Sequence, residues 1–280
     1  MTFSIVGREP DGSAVGVAVA SKFLGVGAAV PAARHGVGAV ATQSFCNTLY
    51  KRDGLAHLAG GLGAEATLAA LVEADDGREE RQAGVVDDTG GAATFTGSGC
   101  LDWAGGVTGP GVAIQGNILV GPQVVDAMHA AWLGSAGMPL AERLLLALTA
   151  GDAAGGDARG RQSAALLVAS GEGSYTPGDD VRFDLRVDDH VDPVTELSRL
   201  LDLHHLYFDA PHPDDLLPLT GDLADEVTRL LDAVGRPDLE TWAGVENFEL
   251  RLVPGRIDQV VLAHLRAQAA QAAQSTQTGR

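Results

Sequence analysis

Over the first fifty residues the apolar positions follow the two-residue period of strands and are interrupted by turn residues. Residues 2–6 read as a short strand, Pro10-Asp11-Gly12 as a turn, and residues 14–20 as a buried strand returning beside the first. Two further Gly/Ala/Val strands are expected at 28–31 and 37–43. The period then lengthens to that of a helix over 54–59 and 64–74, which predicts a helical pair. Strand signals return at 82–87, 92–97 and 112–118. A second helical pair follows at 123–133 and 140–150, the latter behind Pro139, and strands at 163–170 and 181–187 close the block.

Strands gathered in sets, rather than alternating singly with helices, argue against a doubly wound parallel sheet. They predict an α+β fold over residues 1–190, with two sheets face to face and a helical layer outside each, an αββα sandwich. Beyond residues 189–192 strand signals thin out and amphipathic helical patterns take over at 194–203, 223–231 and 257–267. Residues 191–268 are therefore expected to form a small helical domain. The Gln/Ala/Ser/Thr-rich stretch 269–280 is expected to be a disordered tail.

Charge narrows the partners. The 280 residues include 37 acidic and 19 basic side chains, a formal charge of −18, which excludes nucleic acid and anionic membrane surfaces as partners. Both parts share the bias, with 22 acidic and 12 basic residues before position 191 and 15 and 7 after it. No apolar run approaches the roughly 20 residues of a membrane span. The first residues lack a basic stretch followed by an apolar one, so no signal peptide is read and a cytoplasmic protein is expected. Cys46 and Cys100 are too few for a disulfide framework or a four-ligand zinc site and read as buried free thiols, with a single disulfide as the alternative. His204, His205 and His212 lack a ligand set. Asp188, Asp189, His190 and Asp192 read as a hydrogen-bonded exit from the last strand, so no metal is expected. Seventeen of the 19 basic residues are arginine, leaving Lys22 and Lys51 as the lysines.

Thr2 is the first candidate for chemistry. Removal of Met1 would leave Thr2 with a free α-amine, and an N-terminal threonine can use that amine as the general base for its own hydroxyl. An α-amino pKa of about 7.7–8.0 suits that proton transfer near neutral pH. A Met-Thr start is common, and context is what singles this one out. Thr2 opens a strand, and the returning strand ends at Ser21-Lys22. Lys22 is then either an ammonium brought to the Thr2 hydroxyl, lowering its pKa, or an exposed strand-end cation.

The block MTFSIVGREPDG…GVAVASKFLGVG, with the segments GVGAVATQSFCN, QGNILVGPQVVDAM and GGDARGRQSAALLV, resembles the domain-of-unknown-function family 1028 over residues 1–190. That resemblance implies the αββα architecture of the N-terminal-nucleophile (Ntn) hydrolases, which cleave amides with an N-terminal Thr, Ser or Cys. Residues 191–270 resemble a helical peptidoglycan-binding segment often attached to that family, on LHHLYF at 203–208, WAGVEN at 242–247 and VPGRID at 253–258.

Within that frame Asn117, at the end of a strand beside Gln115, is either an oxyanion donor or a turn asparagine. Asp157, Arg159, Gln162 and Ser163 lie in a glycine-rich loop entering a buried strand, where they would bind a substrate carboxylate or amide or lock the first strand in place. Thr42, Gln43, Ser44 and Asn47 end another strand and would line the same pocket with Gln115. Cys46 sits mid-chain without a histidine partner and ranks below Thr2 as a nucleophile. The glycines form no phosphate-binding pattern. The expected function is an Ntn-type amidohydrolase acting, without cofactor, on a small amide or peptide-like substrate, as a homodimer. The alternative is a catalytically inactive binding protein of the same fold that recognises muropeptide or another small ligand.

Overall fold

A computed structural model describes residues 2–173 and 178–278, with side chains through Gln274. Its elements in chain order are β1 (Thr2–Arg8), β2 (Ala14–Ser21), α1 (Val26–Ala29), β3 (Pro31–Arg34), β4 (Gly38–Ser44), α2 (Leu49–Ala59), α3 (Ala64–Glu73), β5 (Arg81–Asp87), β6 (Ala92–Thr96), β7 (Gly105–Gly109) and β8 (Val112–Asn117). They continue with α4 (Gln123–Gly134), α5 (Leu140–Ala153), β9 (Ser163–Ser170), β10 (Val181–Val187), α6 (Pro193–Phe208), β11 (Leu216–Pro218), α7 (Gly221–Ala233), α8 (Leu239–Glu246), β12 (Arg256–Asp258) and α9 (Gln259–Thr278). The chain divides into two units, Met1–Leu200 and Leu201–Arg280. The buried Val194 and Leu197 fall in the first unit, which therefore ends beyond the composition shift at residues 189–192.

The first unit holds two antiparallel sheets, ordered β10-β9-β2-β1-β8-β7 and β3-β4-β5-β6. Strand alternation sorts the faces of β1. Phe3 points to the helical side, where it meets Gly151 and Gly156. Ser4 points to the other sheet and donates to Gln43 Oε1 at 2.7 Å. β4 and β5 pack on β1 and β8, α4 and α5 on the far side of the larger sheet, and α2 and α3 on that of the smaller one. Val6, Val15, Val17, Val19, Ala41 and Val86 make one core cluster. A second lies under α2 and α3, around Tyr50, Leu58, Leu68 and Leu71.

The second unit gathers Trp242, Phe248, Ile257 and Leu265 into its own core. A buried ion pair, Arg251 Nε to Asp258 Oδ2 at 2.5 Å, ties the segment after α8 to β12. The same guanidinium donates to the carbonyls of His205, Leu206 and Asp209 at the end of α6. Among the described residues no helix is long and apolar enough to cross a membrane.

The mixed α/β character and the helical C-terminal region agree with the sequence reading. Two local features differ from it. Residues 28–31, read as a strand, begin with the helical turn α1, because Gly25 at φ 65° turns the chain and Ser163 Oγ accepts the N–H of Val26. β7 has the composition GGVTG, too glycine-rich to signal a strand. α9 runs from Gln259 to Thr278, in keeping with the helix propensity of its Ala and Gln residues. Cys46 and Cys100 are free, as expected, but half-buried rather than buried.

Gly84 on β5 lets the sheets approach. A Cβ there would stand 2.2 Å from Gln115 Oε1 and 2.7 Å from its Cδ. Gln115 cannot swing away cheaply, because its Nε2 donates to Ser4 Oγ at 2.6 Å. Gly84→Ala should therefore lower stability in urea unfolding by about 1–3 kcal/mol. Gly134→Ala, at the end of α4 with nothing within 4 Å, should be neutral or slightly stabilising.

Candidate active site around Thr2

β1 lies between β2 and β8, so its first residue has a neighbour on each side. Thr2 is directly opposite Asn117 on β8. Its hydroxyl lies 3.1 Å from Ser21 Oγ at the end of β2. Its carbonyl accepts from Gln43 Nε2 at 3.3 Å, across from the facing sheet. Thr2, Ser21, Gln43 and Asn117 are all buried.

Behind Thr2 the amides form a layer whose sense can be deduced. Gln82 Nε2 donates to the carbonyls of Gly116 (2.8 Å) and Gly105 (3.2 Å) and to Thr96 Oγ1 (2.9 Å). A carbonyl only accepts, so Gln82 must present nitrogen there and its Oε1 must face the opposite way. That oxygen accepts from Gln43 Nε2 (2.8 Å) and Asn117 Nδ2 (2.9 Å). Gln43 Nε2 also serves the carbonyls of Thr2 and Gln115, which leaves Gln43 Oε1 to accept from Ser4. Gln115 in turn donates to Ser4 Oγ and accepts from Thr94 Oγ1. One sense of hydrogen bonding runs through six strands, β1 and β4 to β8.

The glycine-rich loop is bonded to the segment that follows β2. Asp157 Oδ2 accepts the backbone N–H of Lys22 (2.8 Å), and its carboxylate also holds the guanidinium and backbone N–H of Arg159. Ser163 Oγ donates to the Phe23 carbonyl at 2.5 Å and accepts from Val26 N–H. Gln162 donates to Asp189. Asp157 and Ser163 thus fasten the turn that follows Ser21. They also correct the expected position of Lys22. With its backbone held by Asp157, Lys22 turns outward, exposed, and its ammonium donates to the Arg161 carbonyl at 3.2 Å, not to Thr2. A cavity of about 370 Å³ opens here, walled by Phe3, Ser21, Asp152, Asp157 and Arg161.

The end of β4 forms a separate cluster. Thr42 Oγ1 donates to the Asn47 carbonyl, and Asn47 Nδ2 donates to Asp75 at 3.0 Å. Ser44, at φ 69°, accepts a weak bond from Cys100 Sγ. Burial pushes the Cys46 thiol up from its ordinary range, which argues further against it as a nucleophile. Of the sequence candidates, the structure brings Thr2, Gln43, Gln115 and Asn117 together, while Thr42, Ser44 and Asn47 serve the β4 exit. Sequence reasoning missed Ser4, Ser21 and Gln82. Period-two alternation from Thr2 would have put Ser4 on the same face. Among the described residues no group of three or more His, Cys, Asp or Glu is placed to hold a metal ion.

The Arg81 guanidinium, bonded to Asp75 at 2.9 Å, holds that carboxyl well below the usual carboxylate range against the opposing effect of burial. The Asn47 amide and the Gly77 N–H add to it. A folded-state pKa below the unfolded one contributes stability in full above about pH 4, and the contribution is lost as the pH falls toward the folded value. Asp75→Asn should therefore be less stable than the parent near pH 7, with the gap in urea midpoint narrowing steadily as the pH falls below about 4.

Comparison with known proteins places this geometry in a family. Residues 2–197 match the model described as "Family of unknown function (DUF1028)". Residues 207–265 match one described as "Putative peptidoglycan binding domain". The crystal structure of protein SPO2555 from Silicibacter pomeroyi, itself assigned to DUF1028, superposes with a TM-score of 0.65 at 31% identity, over 80% of this chain and 92% of that one. No curated protein matches the chain. With its strand pairing, its length from residue 2 to 197 and a solved relative in agreement, the chain belongs to the family of unknown function DUF1028.

Proposed function

We propose that the chain is an N-terminal-nucleophile amidohydrolase, built as the four-layer αββα sandwich of that class, with Thr2 as nucleophile once cleavage of the Met1–Thr2 bond frees its α-amine. Met1 lies outside the described residues. The observation that carries this reading is the place of Thr2: it heads a central strand, flanked by Ser21 and Asn117, with its hydroxyl bonded to Ser21 in a buried polar end of the fold.

In this scheme the α-amine takes the hydroxyl proton as Thr2 Oγ1 attacks the amide carbon. One hydrogen of Asn117 Nδ2 is committed to Gln82, and the other, with backbone N–H groups, stabilises the oxyanion. Collapse of the tetrahedral intermediate breaks the C–N bond, the leaving nitrogen takes the proton held by the ammonium, and water then hydrolyses the acyl ester on Thr2. Lys22 contributes by position: the bond from its N–H to Asp157 closes the turn after Ser21. The substrate is a small amide or peptide-like molecule, and the working form is a cytoplasmic homodimer. A second reading is favoured by the match over residues 207–265, namely a binding protein of the same fold that has lost catalysis and recognises muropeptide.

Mass spectrometry should show a protein lacking Met1. In an amide-library assay, Thr2→Ala should cost about three orders of magnitude or more in kcat/KM, with Thr2→Ser retaining part of the activity. Full activity with Met1 retained, or in Thr2→Ala, would remove Thr2 from the chemistry. Muropeptide binding without turnover of any amide would favour the second reading.

A further inference from the structure

The polar layer leaves one acceptor over. Asn117 is fully buried, its Nδ2 donates to Gln82 Oε1, and its Oδ1 has no hydrogen-bond partner. Turning the amide over is no remedy. The carbonyls of Gly105 and Gly116 keep Gln82 Oε1 facing Asn117, so a reversed Asn117 would set oxygen against oxygen. A buried amide oxygen without a donor is unfavourable, and few survive in folded proteins without a partner supplied from elsewhere.

The place of this oxygen says which donor is missing. Thr2 is directly opposite Asn117 on β1, and directly opposed residues share a face of the sheet. While Thr2 is joined to Met1 its nitrogen carries one hydrogen. Hydrolysis of that bond puts the hydroxyl of water on the Met1 carbonyl carbon and its hydrogen on the Thr2 nitrogen, and protonation then gives an ammonium with three N–H donors. New donors are thus created opposite the vacant acceptor.

We propose that Asn117 Oδ1 accepts an N–H of the freed Thr2 α-ammonium and that Asn117 is the positioning residue holding this amine beside the Thr2 hydroxyl. The proposal rests on the reading of Thr2 as an N-terminal residue. Among the described residues, Ser21, Gln43 and Asn117 face Thr2 from β2, β4 and β8, and none of these three ionises near neutral pH. On the adjoining turn, the Asp157 carboxylate is paired with Arg159, and the Lys22 ammonium donates to Arg161. An acceptor that binds the charged form raises the amine pKa, so loss of that acceptor lowers it.

The test uses the full chain released from a cleavable leader so that Thr2 is N-terminal whatever becomes of Met1. Competitive acylation of the α-amine with a small anhydride across pH gives its pKa in the parent, in Asn117→Leu and in Asn117→Asp. Asn117→Leu should lower it by roughly 0.5–1 unit, and Asn117→Asp, which keeps a charged acceptor on the Thr2 side at the cost of an oxygen set against Gln82 Oε1, should raise it. Should the leucine variant fail to fold, the rise in the aspartate variant carries the test. An amine pKa unchanged by either substitution would overturn the proposal. Labelling reads the amine and not turnover, so the result stands apart from the fate of Thr2→Ala in the amide assay.

Discussion

Backbone carbonyls that can only accept decide how the two sheets of the first unit meet. Gly105 and Gly116 hold Gln82 in one sense, and Thr2 and Gln115 hold Gln43 in one sense. Every other amide and hydroxyl in the layer follows from those two. A layer of this kind is unforgiving, since a low-dielectric interior strengthens a made hydrogen bond and makes an unmade one costly. It also locks register, because a one-residue slip of β1 would turn Ser4 toward the helices and Phe3 into the polar layer.

The surroundings of Thr2 are assembled from distant parts of the chain. Ser21 is held where it is by the turn after it, and that turn is fastened by Asp157 and Ser163 at the entry to β9. β9 pairs with β2 along its whole length, so the loop and the strand it leads into deliver those side chains together. The loop that looks in sequence like a ligand cradle is occupied with its own chain, and the cavity by Ser21 is walled in part by it.

Much of this was legible from residues alone. Alternation and turn chemistry located β1, β2, β4, β5 and both helical pairs, because those segments bury one face and obey one period. Gln43, Gln115 and Asn117 stood out as polar residues at the ends of apolar strands. What escaped was whatever depends on a partner far away in sequence. Gln82 is an ordinary strand opener until Gly105 and Gly116 are seen to claim its nitrogen. Lys22 looked like a cation for Thr2 because nothing local reveals that Asp157 takes its backbone N–H. Tertiary hydrogen bonds also explain why residues 26–29 coil although their composition favours a strand.

The single sense of the amide layer has a consequence for how such a sequence can drift. Ser4, Gln43, Gln82, Gln115 and Asn117 come from four strands, β1, β4, β5 and β8, yet no one of them can exchange donor for acceptor without stranding a neighbour. Substitutions there are coupled rather than independent, and each passable route requires two or more simultaneous changes. The apolar half of the same interface, built from Val6, Val17 and Ala41, carries no such direction and can be exchanged one side chain at a time while volume is kept. The two halves of one interface should therefore age at different rates, and the slow half is the one that borders Thr2.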